Sequence, residues 1–528
     1  MSPKSKSWHQ MTTRLRLPWS RILVGLGVLS LVVYWFSGNE MDPFFEKMTH
    51  MEHFNSHAFV HSAYYFPNSK SLGKGAVAIV ATMNRKSVVD LNKYQLKIVG
   101  TNSTDRWVTK GKITTEHDPE ESCEYTTVLI QTNTVKYLGK LEIETRNGLF
   151  TLPILKPKKV APKPVVFCIA PLFAAEQWQS LLMQMHVAKR FGAHLHVYMT
   201  TLLEHYYQLA RELEELELIS TQAWLSPKFS QVETPFLEPT RNLEMRNPAA
   251  AYTDCLLQYK EAAQFVAFMQ IDDLMFPLNA NTYYEEFERE YEGSYLISAL
   301  YYQVFEQESV KSSSPSQQSL SEYISSARTI STARLGRCVV RPDRFNSTWT
   351  HFSTQAERQP IYLTEQQEEP HFMERKEVKT NGVLSFRKMQ TIEISDDTNA
   401  TSSSSSSSSS SVTIPTNPAS TDQKLLSVDH LKAIDADIAR TLNLTTLQKV
   451  LKHLPTGDFY TRALNECLAE QKEGKGQCVS TRGCSLPNNS SLPCRHSDGL
   501  YHSGRLMKPF TWHFATEPYF TRNLGCYE

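Results

Sequence analysis

Phe265-Val266-Ala267-Phe268-Met269-Gln270-Ile271-Asp272-Asp273, followed by Pro277, is the stretch that decides how this chain is read. The apolar run has the character of a buried strand, and it ends in two adjacent carboxylates. Open α/β sheets bind ligands off the carboxyl ends of their strands. Two acids at such an end suit a divalent metal, and a metal there suits a diphosphate. The competing reading is an acid pair that caps a helix or forms a turn, because Asp is common in both places.

Working outward, the flanking segments alternate between strand and helix. Residues 165–170 read as a buried strand. Residues 174–190 read as an amphipathic helix, with Trp178, Leu181, Leu182, Met185 and Ala188 on one face and Gly192 as its C-cap. A strand at 195–199, a helix at 202–216, a short strand near 223–224 and a helix at 248–261 lead into the opening strand, and 282–291 is a further helix. This rhythm predicts an α/β class with a Rossmann-type, mostly parallel sheet covered on both faces. Upstream, residues 61–157 predict a small β-sandwich, with strands over 77–81, 94–99, 107–113, 125–131, 136–144 and 149–155. Pro157, Pro162 and Pro164 mark a linker. Residues 312–326 read as a Ser/Gln-rich loop. Residues 391–422, with ten consecutive serines from Ser402, read as a disordered linker. The segment 423–528 reads as helical and then Cys-rich.

The N-terminus carries an address. Lys4, Lys6, Arg14, Arg16 and Arg21 precede the first acid, Glu40. Residues 17–37 reach the length of roughly 20 that a membrane helix needs, with Trp19, Tyr34 and Trp35 near its ends. The expectation is a type II protein: cytoplasmic tail 1–16, single-pass transmembrane anchor 17–37, stem 38–60 and a lumenal remainder. A cleaved signal peptide is the alternative. Sequons begin at Asn102, Asn346, Asn399, Asn443, Asn488 and Asn489. Nine cysteines, five of them at Cys467, Cys478, Cys484, Cys494 and Cys526, fit disulfides in an oxidising compartment. Zinc is the rival, but paired C-x-x-C spacing is missing. The odd count leaves at least one free or intermolecular thiol. The 55 basic side chains balance 55 acidic ones, so no global field points to a nucleic-acid partner.

Several blocks together resemble glycosyltransferase family 92. They are Phe167-Cys168-Ile169-Ala170-Pro171-Leu172-Phe173, Glu176-Gln177-Trp178, His186, Lys189 and Phe191-Gly192-Ala193-His194. Further along come Arg246-Asn247-Pro248 through Asp254-Cys255 to Tyr259-Lys260-Glu261, then Ile271-Asp272-Asp273, Gly336-Arg337-Cys338 and the tail around Asp498-Gly499-Leu500-Tyr501. The resemblance implies a GT-A-like, type II membrane glycosyltransferase of the Golgi or another secretory membrane. It implies Mn2+ (or Mg2+) as cofactor, a nucleotide-sugar donor such as UDP-galactose, and a glycan acceptor such as fucose on an N-glycan core. Family members commonly read Asp-x-Asp-Asp where this chain has Gln270-Ile271-Asp272-Asp273, and His-Tyr-Arg where it has Ser385-Phe386-Arg387. By this reading Asp272 is the clearest metal ligand and Asp273 the second, while His351 is a ligand or acceptor contact. Gln270, Asp272, Lys189 and Arg246 are donor-binding candidates, the last two through phosphates. The catalytic base is unassigned. The Gln270 and Ser385 departures motivate the alternative of a weak or inactive relative that binds glycans or partners. A cell-surface adhesion protein would account for the β-sandwich and anchor, but not for the α/β core.

Overall fold

The computed structural model describes residues 56–88, 95–115, 123–145, 148–229, 239–277, 280–291, 299–309, 319–321, 324, 327–348, 383–388, 428–455, 457–473, 478–504 and 510–526. The anchor over 17–37, most of the stem and the serine run lie outside these residues. Among the described residues no helix is long and apolar enough to cross a membrane.

In chain order the strands are β1 (Ser56–Ser69), β2 (Gly73–Asn84), β3 (Lys97–Thr101), β4 (Arg106–Lys110), β5 (Lys112–Thr115), β6 (Tyr125–Asn133), β7 (Lys140–Thr145), β8 (Gly148–Leu152), β9 (Val165–Leu172), β10 (Ala193–Met199), β11 (Thr201–Leu203), β12 (Ile219–Ala223), β13 (Phe265–Met269), β14 (Asp273–Met275), β15 (Ala299–Ser309), β16 (Ala327–Val340), β17 (Val383–Lys388), β18 (Cys494–Ser503) and β19 (Phe510–Asn523). The helices are α1 (Trp178–Arg190), α2 (Glu204–Glu215), α3 (Pro248–Tyr259), α4 (Tyr283–Tyr291), α5 (Val428–Leu442), α6 (Thr445–Leu451) and α7 (Phe459–Glu473).

The central sheet has eight strands in the order β12-β10-β9-β13-β16-β15-β17-β14. Its first four strands are parallel, as the alternating rhythm predicts. The other half is mixed. β16 runs antiparallel to β13 and β15, and β14 antiparallel to β17, while β15 and β17 are parallel. The sheet is therefore less uniformly parallel than the sequence suggests. β15 and β16 are long, with 11 and 14 residues, and pair antiparallel, which the alternating strand–helix rhythm upstream does not extend to.

Both faces of the parallel half are apolar because both are covered. On β9, Val165, Phe167 and Ile169 join one core, with α1, α2, α4 and the three C-terminal helices. The alternate residues Val166, Cys168 and Ala170 join a second core with α3. α3 is buried nearly all round because it lies between two sheets. Its other neighbours are Tyr64, Phe66, Ala76, Ala78, Val80 and Leu129 of the N-terminal strands. A helix that is apolar on every side belongs in such a position. Gly192, at φ 86°, ends α1 in the left-handed region that glycine adopts at low cost.

The N-terminal β-rich segment does not build its sheet alone. A seven-stranded sheet, β11-β18-β19-β1-β2-β6-β5, combines it with both tail strands, and β1 starts inside the segment read as stem. It packs on a four-stranded sheet, β4-β3-β7-β8, through Val77, Ile79, Val128 and Ile130 against Ile98, Leu141 and Ile143. Two sheets do pack here, but the larger is completed by β11 and by strands from the far end of the chain, where the sequence suggests a small sandwich within 61–157. Disulfides pin the arrangement: Cys123–Cys478, Cys168–Cys255, Cys467–Cys484 and Cys494–Cys526, with Cys338 buried and outside any disulfide.

Lys260, 2% exposed, closes the end of α3. Its ammonium donates to the carbonyls of Pro342 and Phe345 and to Asn346 Oδ1, at 2.7, 2.8 and 2.8 Å. The sequon at Asn346 is thus a buried structural acceptor. Lys260→Met is expected to cost about 2–4 kcal/mol in urea unfolding, because three buried acceptors lose a charged donor. A loss below about 1 kcal/mol would show that those acceptors find other partners.

Candidate functional site

Residues 270–273 turn sharply where β13 ends. The Asp273 N–H donates to the Gln270 carbonyl at 3.1 Å, closing the turn. The Asp273 carboxylate reaches back to the Gln270 N–H at 2.7 Å. From α1, Gln184 Nε2 donates to the carbonyls of Gln270 and Asp273, both at 2.9 Å. From β16, Arg337 meets Asp273 with Nε at 2.5 Å and Nη2 at 3.3 Å. Both side chains are buried, at 2% and 0% exposure. Burial alone would lower the Arg337 pKa. The charge and hydrogen bond of Asp273 outweigh it and hold the guanidinium firmly protonated, with Tyr252 and Asp272 adding to the effect. Asp272 and Gln270 are only half-buried. The two adjacent acids therefore differ in kind: Asp273 is structural, and Asp272 is the one the turn leaves accessible.

Three non-glycine residues at the carboxyl edge of the parallel strands adopt left-handed conformations: Ala174 (φ 47°) after β9, and Arg246 (φ 69°) and Asn247 (φ 47°) ahead of α3. Such backbone costs on the order of 1–3 kcal/mol per residue and persists where its surroundings enforce it. Asn247 supplies that enforcement. It donates to Thr82 Oγ1 at 2.9 Å, lies 3.1 Å from His61 Nε2, and accepts from Thr127 Oγ1 at 3.2 Å. The Tyr252 hydroxyl donates to the Met269 carbonyl at 2.9 Å, at the end of β13. Burial raises the pKa of this phenol, and Arg337, Asp273, Arg246 and Glu244 all bear on it electrostatically. By chain position Arg246, one residue ahead of Asn247 and α3, stands at the same carboxyl edge as the strand end that carries Asp272.

The β18–β19 hairpin covers the neighbouring part of the same edge. Ser497 donates through N–H to the Thr200 carbonyl at 2.8 Å, and through Oγ to the Trp224 carbonyl at 2.7 Å. The Tyr501 hydroxyl donates to the Ser226 carbonyl at 3.1 Å, and Lys228 Nζ sits 4.6 Å over the Tyr501 ring. The carboxyl edge is thereby bounded by the turn after β13, the Arg246 segment and the tail hairpin.

A family model described as glycosyltransferase family 92 matches residues 163–442, a span that takes in this edge, the Arg337–Asp273 pair and α5. The chain belongs to glycosyltransferase family 92. It is 42% identical to Glycosyltransferase family 92 protein F55C10.4 of Caenorhabditis elegans over 482 residues, 90% of this chain and 91% of that one. It is 36% identical to ZK381.2 and 27% identical to C33H5.2, two more family 92 proteins of the same nematode, at about nine-tenths coverage of each chain. Family 92 membership makes glycosyl transfer the class of reaction, with a nucleotide-sugar donor and a glycan acceptor as the implied partners.

Of the family 92 residues chosen from sequence, the structure brings Gln270, Asp272, Asp273 and Arg246 to one edge. Lys189 is not with them. It is exposed near the end of α1, where the chain leads through Gly192 into the start of β10. That is the amino edge of the parallel strands, opposite Asp272. His351 lies outside the described residues. Ser385 pairs with Asp273 across β14 and β17. Sequence reasoning gave no role to Arg337 or Gln184. The available signal was an arginine heading the apolar run Cys338-Val339-Val340.

A Mn2+ or Mg2+ shell is not what these residues make. Arg337 and the Gln270 N–H occupy the Asp273 carboxylate, and position 270 offers a neutral amide. Among the described residues no three His, Cys, Asp or Glu side chains gather as a metal cluster. The described donor set does not fit the implied ion, so no step here is assigned to one.

Asp254, in the middle of α3, lies deep beneath the edge. The hydroxyls of Tyr198 and Tyr64 donate to it at 2.5 and 3.1 Å, and Gln222 Nε2 at 3.3 Å. Burial raises its pKa despite these donors. A carboxyl group whose folded pKa is raised binds its proton more tightly in the native state. Its contribution is then full below the unfolded value of about 3.9 and is lost as pH rises toward the folded value. Asp254→Asn removes this titration. Its stability relative to wild type is expected to improve steadily from pH 4 upward in urea titrations at several pH values. A difference that does not change with pH would contradict the assignment.

Proposed function

We propose that this protein is a GT-A-like hexosyltransferase that moves galactose from UDP-galactose to a glycan acceptor, fucose on an N-glycan core being the first candidate. We place it as a single-pass type II protein with its body in the Golgi lumen. The observation that carries the reading is the braced turn after β13, which presents Asp272 at the carboxyl edge of four parallel strands. That edge is where an open α/β sheet receives a nucleotide. Four disulfides support an oxidising, lumenal setting. In the reaction an acceptor hydroxyl attacks the anomeric carbon as the bond to the diphosphate breaks. The site has to orient both partners and meet the charge that develops on the leaving group.

A second reading, an inactive relative that binds glycans or partners, is favoured by Gln270 and by the engagement of Asp273 with Arg337. Purified protein offered a panel of UDP-sugars and fucosylated N-glycan acceptors separates the two. Transfer from UDP-galactose supports the enzyme. Acceptor binding without transfer from any donor supports the second reading.

A further inference from the structure

We infer that this site binds the donor diphosphate without a divalent cation, the positive charge coming from the protein through Arg246. The inference rests on the nucleotide-sugar reading of the edge and says how that edge holds its donor. A divalent ion in a glycosyltransferase neutralises the leaving diphosphate. Here the turn that would hold the ion already holds a cation. Arg337 is buried behind it, paired with Asp273, and its guanidinium feels Asp272 as well. With Arg337 bound, Asp273 brings no net charge to an ion, and Asp272 alone is left to supply it, where a divalent ion favours several charged oxygens. Gln270 removes a negative charge at the point where the ion would need one. Beside β14, the register puts a serine opposite Asp273.

Arg246 is suited to the substitute role. It stands just ahead of the first residue of α3, at the carboxyl edge of the parallel strands where β13 delivers Asp272. Its left-handed backbone is of the kind that collects at ligand clamps, and the Asn247 anchor beside it fixes the segment. A guanidinium meets phosphate oxygens with paired donors, and its charge does not depend on pH.

The test is calorimetric titration of UDP into the purified full-length protein, in EDTA and then in Mn2+. The dissociation constant should change by less than about threefold between the two, while Arg246→Gln should weaken binding about tenfold or more in both. Arg246→Lys should fall between, and unchanged thermal unfolding would show that either variant is folded. Gln270→Asp restores the missing charge and should make UDP binding respond to Mn2+. The inference is overturned if wild-type binding appears only with Mn2+, if Mn2+ tightens it more than tenfold, or if Arg246→Gln binds as wild type does. UDP bound under neither condition overturns the donor reading itself, and the inference with it. Binding that depends on Mn2+ leaves the donor reading intact.

Discussion

Arg337→Met is expected to destabilise the protein by about 3–5 kcal/mol, because it leaves the Asp273 carboxylate buried without its counter-charge. Burial makes this pair unlike an exposed ion pair, where the loss is mostly below 1 kcal/mol. The Gln270 N–H, still bonded to Asp273, offsets only part of the charge. Removing both charges together tests the cause. Arg337→Met/Asp273→Leu should recover most of the loss, since replacing a whole buried pair with apolar groups is often close to neutral. Urea unfolding of the two single variants and the double one should give a coupling of at least about 2 kcal/mol. If Arg337→Met alone costs under 1 kcal/mol, the pair does not brace the turn, and the division of labour between the two acids fails.

Asp272→Ala should behave in the opposite way. Asp272 is half-buried, where Asp273 is fully buried, so unfolding is expected to shift by no more than about 1 kcal/mol. Transfer should fall by about 10²-fold, because a carboxylate that holds no ion at this edge can still orient a sugar hydroxyl by accepting its hydrogen bond. Asp273→Ala should lose stability first, with any loss of activity following from a displaced turn. Melting curves and initial rates on the same preparations separate these outcomes. Full transfer by a folded Asp272→Ala protein would remove the residue from the site.

Much of the parallel half of the fold was legible from local pattern. Val165–Leu172, Ala193–Met199 and Phe265–Met269 are short apolar runs, each ahead of or between amphipathic segments, and that rhythm has few solutions. Arg246 and Asp272 were legible as candidates because they flank elements that could be placed. The remainder depends on pairing between distant segments. Nothing local to Phe510–Asn523 marks it as a neighbour of Ser56–Ser69, yet the two run parallel in one sheet. Lys189 and Arg246 look alike as helix-flanking cations. Only the direction of α1 and α3 relative to the sheet puts one at the amino edge and the other at the carboxyl edge.

The chain by itself determined that a buried strand ends in two carboxylates, with an amide at position 270 just ahead of them. Tertiary structure decided what the two carboxylates do. Arg337 lies 64 residues from Asp273, and β16 brings it alongside by running antiparallel to β13, with Cys338 opposite Phe268. Asp272 sits inside the turn and Asp273 opens β14, so one acid turned inward to that arginine while the other stayed half-buried. Which of them did so depended on a charge contributed from elsewhere in the fold.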